Sequence, residues 1–500
     1  MAKDELMNYE QALEKFEVVI GLEVHVELNT KTKMFCGCRN DFGDEPNTNV
    51  CPICIGLPGS LPAVNKRAVE SSIAIGLALG CQIAPTGRFA RKNYFYPDLA
   101  KNFQTSQYVE PIAFEGALDV EVASGKVFTV NIERAHMEED AGKLTHIGGS
   151  TGRIQGAEYS LVDYNRAGVP LVEIVTKPVY GAGAEAPELA AAYVRSIREI
   201  VKALGVSEAR MERGNVRCDA NVSLRLHGEA KLGTRTETKN VNSLRSIERA
   251  VRYEIQRQAA ILSKGGKITQ ETRHWHEDRG LTSAGRPKSD TDDYRFFPEP
   301  DLVPVKPSHE LIESIRATLP ENPADRRKRL QAEWAFADLE FRDVVNAGLM
   351  DQIEETIAAG AKPQAARKWW TGELARLANA DGKDVTDLEV SPAHIAELAN
   401  LVESGKINDR IGRDVLVSVL AGEGAPAEIV ASKGLEVVSD DGALLAAIDE
   451  ALASQPDVID AIREGRMQAA GAVIGAVMKA MKGQADAARV RELLIQRASE

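Results

Sequence analysis

From Gly21 to Leu28 the chain reads Gly-Leu-Glu-Val-His-Val-Glu-Leu, and this strict alternation leaves few folds open to it. A period of two puts Glu23, His25 and Glu27 on one face of a strand and Leu22, Val24, Val26 and Leu28 on the other. Such a strand is half-buried: the apolar face needs a covering layer, and the polar face is left to water or a ligand. Further β-branched or alternating runs follow at 118–122, 127–133, 159–163, 171–175 and 218–226. Between them, 63–79, 186–204 and 243–263 carry apolar residues at helical spacing, the last opening at the good N-cap types Asn242 and Ser243. Strands in runs, long helices between them and no regular βαβ beat predict an α+β fold with a largely antiparallel sheet.

The pattern changes after Phe296-Phe297-Pro298-Glu299-Pro300-Asp301, where Pro304, Pro307 and Pro320 punctuate a linker. From Pro323 onward nearly everything is helical, with a second seam at Gly422-Glu423-Gly424-Ala425-Pro426 and helices expected at 444–452, 458–464 and 467–481. Three domains are predicted: 1–305, 306–424 and 425–500. A chain of 500 residues, 44% hydrophobic and 27% charged, can bury large cores without disulfides and is neither disordered nor collagen-like. No apolar run of signal-peptide type opens the chain, and the late stretch 469–478 is far short of the roughly 20 residues that span a bilayer. A soluble, cytoplasmic protein is expected. The net charge of −13, most of it contributed after residue 305, argues against non-specific nucleic-acid binding but leaves room for a local basic face.

Several clusters could carry chemistry. Glu23 and Glu27 flanking His25 suit a divalent cation or acid–base work; the blander reading is a strand whose wet face is polar. In Glu133-Arg134-Ala135-His136-Met137-Glu138-Glu139-Asp140, consecutive carboxylates repel and ordinarily mark a solvated turn, unless Mg²⁺ and a phosphate chain compensate them. A third set comprises Glu212 and Arg213, then Asp219 and Asn221 alternating on one strand face. The segment 88–98 interleaves Arg88, Arg91 and Lys92 with Phe89, Tyr94, Phe95 and Tyr96, which suits phosphates and stacked bases, or else an amphipathic core edge with snorkelling cations. Lys239-Asn240-Val241-Asn242-Ser243 can offer backbone N–H groups to an anion or simply cap a helix. Cys36-Gly37-Cys38 and Cys51-Pro52-Ile53-Cys54 supply two close thiolate pairs, the layout of a structural Zn²⁺ site, against the alternative of reduced surface thiols. Four thiolates would leave no open position for catalysis.

Residues 19–28, Arg91 to Asp98, His136 to Lys143 and Asp293 to Asp301 closely resemble the B subunits of the aspartyl/glutamyl-tRNA(Asn/Gln) amidotransferases, and the resemblance runs from about Phe16 to the C-terminus. It implies a cradle domain like the glutamine synthetase catalytic core, then a helical domain and a small helical tail that contacts tRNA. It implies a ligase that phosphorylates the side-chain carboxylate of Glu-tRNA(Gln) or Asp-tRNA(Asn) with ATP and Mg²⁺. Ammonia from a separate amidase (glutaminase) subunit then displaces the phosphate, and a small third subunit belts the other two together. By resemblance Glu23, His25, Glu138 and Glu139 form the Mg²⁺ and ATP constellation, with Glu212 and Asp219 in a matching motif; Arg91, Lys92, Tyr94 and Lys239 fall to the nucleotide or the aminoacylated 3′ end. The zinc cysteines Cys36, Cys38, Cys51 and Cys54 occur in only some members of the family. The absence of a Ser-Lys or Cys-His hydrolase arrangement agrees with ammonia coming from a partner. A free-standing carboxylate-activating ligase and a non-catalytic zinc-containing RNA-binding module are the rival classes.

Overall fold

The computed structural model describes residues 5–148, 156–287, 294–438, 440–455, 457–463, 467–481 and 483–499; Asp293 and Glu464, which fall in the expected motifs and helices, lie outside them. The chain forms two compact units, residues 1–326 and 327–500.

The first unit opens with helix α1 (Tyr9–Lys15) and strand β1 (Phe16–Glu27), followed by α2 (Lys66–Ala78), β2 (Gln82–Ile83), β3 (Arg88–Asn93), β4 (Phe103–Glu110) and β5 (Ala113–Glu121). Next come β6 (Val127–Glu139), β7 (Lys143–Ile147), β8 (Tyr159–Asp163), β9 (Pro170–Thr176), α3 (Ala186–Ala203), β10 (Val216–Leu226), β11 (Thr236–Lys239) and α4 (Leu244–Ser263). β12 (Glu271–His276), β13 (Leu281–Pro287), β14 (Phe297–Pro298) and α5 (His309–Ala317) complete it. Twelve strands make one sheet in the order β13-β12-β11-β10-β1-β9-β6-β4-β3-β14, with β5 joining β6 and β2; β7 and β8 form a separate two-stranded ribbon. The sheet is mixed, not wholly antiparallel, because β11 and β12 run parallel.

The alternation of β1 decides which way this sheet faces. Leu22, Val24 and Val26 are buried in one apolar cluster with Leu189, Tyr193 and Ile197 of α3 and Ile247, Val251 and Ile255 of α4. Each such side chain contributes about 1.5–3 kcal/mol when fully buried. Both α2 and α4 begin as their residue types dictate: Asn65 accepts from the Arg67 and Ala68 N–H groups at the start of α2, and Ser243 Oγ accepts from Ser246 N at 3.0 Å at the start of α4. With helices covering the apolar face, the opposite face of the central strands is left polar.

In the second unit, helices such as Pro392–Glu403, Asp409–Leu420 and Pro426–Lys433 surround one apolar cluster reaching from Leu330 to Val430, with Trp370 Nε1 donating to Thr356 Oγ1 at 2.8 Å. A separate cluster from Leu444 to Ala498 is built by helices that include Asp441–Ala453, Ala470–Ala480 and Ala487–Ser499. No helix among the described residues is long and apolar enough to cross a membrane.

Candidate functional site

Pairing carries the polar face of β1 outward in both directions. Across four strands Arg217 (β10), His25 (β1), Glu173 (β9) and His136 (β6) are directly opposed, and directly opposed residues share a face. One step along the strands Glu23 opposes Asp219, and further out Glu138 on β6 opposes Ser106 on β4. The result is a line of acids, imidazoles and one guanidinium on a rigid platform.

Two groups converge on this face. His25, Glu138 and Glu173 bring ligand atoms within 4.8 Å of one another, and so do Glu23, Asp219 and Glu237. His25 Nε2 lies 3.8 Å from Asp219 Oδ2, which makes the two groups neighbours. Their carboxylates are held individually. Glu138 accepts from Ser106 Oγ at 2.7 Å and Gln104 Nε2 at 3.1 Å, and Glu23 Oε1 accepts from Asn221 Nδ2 at 3.0 Å. Glu237 accepts from Thr272 Oγ1 at 2.8 Å, while the Lys239 ammonium is bonded to Asp219. Burial works against the charges of Asp219, Glu173, His25 and Lys92, and neighbours of opposite sign overcome it. Burial would raise the Asp219 carboxyl, but Lys239 and His25 hold it well below the usual range. His136, His25 and Lys92 do the same for Glu173. The His25 imidazole, pulled down by burial, is lifted above its ordinary value by Asp219 and Glu173. Burial likewise lowers and Glu138 and Glu173 raise the Lys92 ammonium, which ends above its usual range. Two sets of oxygen donors with one imidazole, mixed with lysines, fit hard divalent cations and the phosphates they accompany.

Not every residue singled out by sequence joins these groups. The acidic run at 133–140 is not a turn: it lies on β6 and its end, and alternation sends its members apart. Glu138 faces His25 and Glu173, whereas Glu139 is bonded to Lys101 and accepts from Thr105 N at 2.9 Å. Glu212 is exposed in the turn before β10 and belongs to neither group. Arg91 is bound to Glu299 through Nε at 2.7 Å and Nη2 at 2.9 Å, and its guanidinium sits 4.2 Å from the Phe103 ring centroid. Tyr94 packs edge-on to Tyr294, and Lys92 lies 5.0 Å from the same ring's centroid. Sequence alone does not single out Glu173, Glu237 and His136 for this site. Glu173 carries a signal, being one carboxylate inside the apolar run Leu171-Val172-Glu173-Ile174-Val175.

A carboxyl pair borders this face. Glu27 neighbours Asp140, which accepts from Arg217 Nη2 at 2.6 Å, and Asn215 Nδ2 donates to Glu27 Oε2 at 3.1 Å. Burial and the Asp140 charge push Glu27 from its ordinary 4.5 up to about 7, while Arg217 and Arg166 outweigh burial and keep Asp140 low. Below about pH 7 the pair therefore holds one proton between them.

Cys36, Cys38, Cys51 and Cys54 bring their sulfurs within 4.8 Å of one another, and none is in a disulfide. The fully buried Lys33 places Nζ 3.8 Å from Cys54 Sγ and donates to the carbonyls of Asn49 at 2.7 Å and Tyr164 at 3.2 Å. Gly168, in the loop before β9, has φ +85°, where any other residue would be strained, and a Cβ there would stand 3.5 Å from Cys54 and Lys33. Four convergent sulfurs with a buried cation alongside fit a tetrahedral thiolate-bound Zn²⁺. Cys81 and Cys218 are buried in the core instead.

Residues 18–313 match the family model described as the GatB/GatE catalytic domain, and residues 351–497 match that of the GatB domain. The chain is 73% identical over 500 residues to the aspartyl/glutamyl-tRNA(Asn/Gln) amidotransferase B subunit of Leifsonia xyli, covering 100% of both chains. It is 69% identical to the protein of the same name from Clavibacter michiganensis, covering 100% of this chain and 99% of that one, and 63% identical to the one from a Nocardioides species, covering 98% and 99%. Family models spanning both units and relatives alike from end to end leave one conclusion: the chain belongs to the family of aspartyl/glutamyl-tRNA(Asn/Gln) amidotransferase B subunits.

Proposed function

We propose that this chain carries out the ATP-dependent step by which Glu-tRNA(Gln), Asp-tRNA(Asn) or both become Gln-tRNA(Gln) and Asn-tRNA(Asn). The observation that carries this reading is the pair of carboxylate groups on the polar sheet face, inside the region that matches the catalytic-domain model. A carboxylate is a poor acyl donor, so the side-chain oxygen first attacks the γ-phosphorus of ATP, releasing ADP and forming an acyl phosphate. Ammonia then adds to the acyl carbon, phosphate leaves with the C–O bond electrons, and the nitrogen loses a proton to give the amide. Bound Mg²⁺ would neutralise the charge of the phosphates during transfer.

In this scheme His25, Glu138 and Glu173 hold one cation, and Glu23, Asp219 and Glu237 a second. Lys92 and Lys239 stand beside these groups as the cations for transferring oxygens. Arg91 keeps β14 against β3 through Glu299, so its contribution is to shape the wall near Tyr94, Tyr294 and Phe103. Glu139 fixes Lys101 rather than a metal. The four cysteines hold a structural Zn²⁺ that fastens the loop between β1 and α2. Supply of ammonia falls to the amidase partner, and the small third partner completes a cytoplasmic heterotrimer. The likeness of the cradle, residues 1–305, to the glutamine synthetase core belongs to the same reading. A helical domain, 306–424, and a tail, 425–500, that contacts tRNA belong to it too. The two apolar clusters of the second unit support two helical bodies, although the first cluster takes in Ile429 and Val430 and α5 packs in the first unit.

ADP release by this chain co-purified with its amidase and small partners, in Mg²⁺, tests the proposal. Release that requires Glu-tRNA(Gln) or Asp-tRNA(Asn) is the expected result. Release with free glutamate or aspartate would make the chain a stand-alone ligase, and no release in either case would leave a binding module.

A further inference from the structure

His136 stands between the two carboxylates of the first group and is itself fully buried. Its Nε2 is 3.2 Å from Glu138 Oε1 and 3.2 Å from Glu173 Oε2. Its other ring nitrogen, Nδ1, has no hydrogen-bond partner among the described residues, so the ring's polar contacts are spent on these two acids. The imidazole cannot swing away. The Tyr108 ring meets it edge-on with centroids 6.0 Å apart, and Tyr108 is stacked on Phe296 at 5.2 Å. Glu138 is also held by Ser106 and Gln104 and hydrogen-bonded to His136, whereas the contact of Glu173 with His136 is an ion pair.

We propose that His136 is a positioning residue for the divalent cation of the first group: one N–H bridges Glu138 and Glu173 and aims both at His25. The inference rests on the reading of His25, Glu138 and Glu173 as cation ligands. Two carboxylates brought together without a cation repel, and burial prevents water from relieving them. A shared donor ties up one oxygen of each and fixes the chelate geometry before the metal arrives. Outer partners of metal ligands act in this way, and their loss costs about 10–100-fold in metal affinity. His136 itself touches neither substrate nor reacting atoms in this account.

The test is a Mn²⁺ titration of the full chain, followed by electron paramagnetic resonance of free Mn²⁺, for the parent and three variants. His136→Phe keeps the ring and removes the donor; His136→Gln restores an N–H near the Nε2 position; Glu173→Gln reports on the site itself. The expected result is binding by the parent, about 10–100-fold weaker binding by His136→Phe at an unchanged Tm, and near-parent binding by His136→Gln. In the assembled enzyme the Mg²⁺ concentration for half-maximal rate should rise in His136→Phe while the rate at saturating Mg²⁺ stays close to the parent's. If Glu173→Gln weakens Mn²⁺ binding and His136→Phe does not, the positioning role is overturned and the ligand assignment survives. If His136→Phe lowers Tm and His136→Gln fails to restore binding, His136 is a packing residue and the proposal fails. If the parent does not bind Mn²⁺, or Glu173→Gln leaves binding unchanged, the cation reading falls and the role of His136 falls with it.

Discussion

At the scale of single residues, the polar face depends on charges that would not survive burial alone. His25 is the clearest case, standing between Asp219 and Glu173, with its Nδ1 unpartnered among the described residues. His25→Ala should abolish ATP-dependent amidation with the far-UV circular dichroism of the parent retained; full activity would remove His25 from the site. Glu27 supports a prediction of opposite character. Its carboxyl is raised from 4.5 to about 7, so the folded state holds a proton that the unfolded state releases. Its cost to stability is therefore absent below pH 4.5, grows as pH rises, and is complete above about 7. Glu27→Gln should gain little Tm at pH 5 and distinctly more at pH 8; an equal gain at both would refute the shared proton. The alternation of Glu23, His25 and Glu27 was legible in sequence because period two is a local rule. The same rule separates Glu138 from Glu139, and reading their acidic run as one cluster overlooked it. Glu237 meets the site only through strand order, which no local pattern encodes.

At the scale of elements, the sheet is a platform only while its rear is sealed. Strands β1, β9, β6 and β10 and helices α3 and α4 were mostly visible as short β-branched runs and helical periodicity. Strands β3, β4 and β11 to β13 were not, since their polar and aromatic residues mask alternation and their pairing joins distant segments. The parallel pairing of β11 with β12 was also unforeseen, whereas the antiparallel pairing of β11 with β10 is what delivers Glu237 and Lys239 next to Asp219. Ile197 of α3 is fully buried in the cluster beneath β1. Ile197→Ala should cost about 2–5 kcal/mol by removing buried methyl groups and leaving a cavity. Urea unfolding of the first unit's transition measures this, and a loss under about 1 kcal/mol, below the range for such a truncation, would mean that α3 does not clamp the sheet as described.

At the scale of the whole molecule, both candidate sites lie in the same part of the chain. The carboxylate face belongs to the first unit, as does the cysteine cluster, and the helical second unit matches a different family model. Cys36→Ser should lower zinc content and Tm together while leaving the order of chemical steps unchanged; unchanged zinc content would contradict the site. The compositional break after Asp301 made the shift from strands to helices legible, because proline and helix-forming composition are local signals. The central claim is that the side-chain carboxylate of the aminoacyl-tRNA is phosphorylated before it is amidated. Its most direct test charges tRNA(Gln) with glutamate labelled with ¹⁸O in the side-chain carboxyl and analyses the phosphate released by the assembled enzyme. The account predicts one ¹⁸O atom carried into phosphate for each amide formed; unlabelled phosphate accompanying full amidation would contradict it.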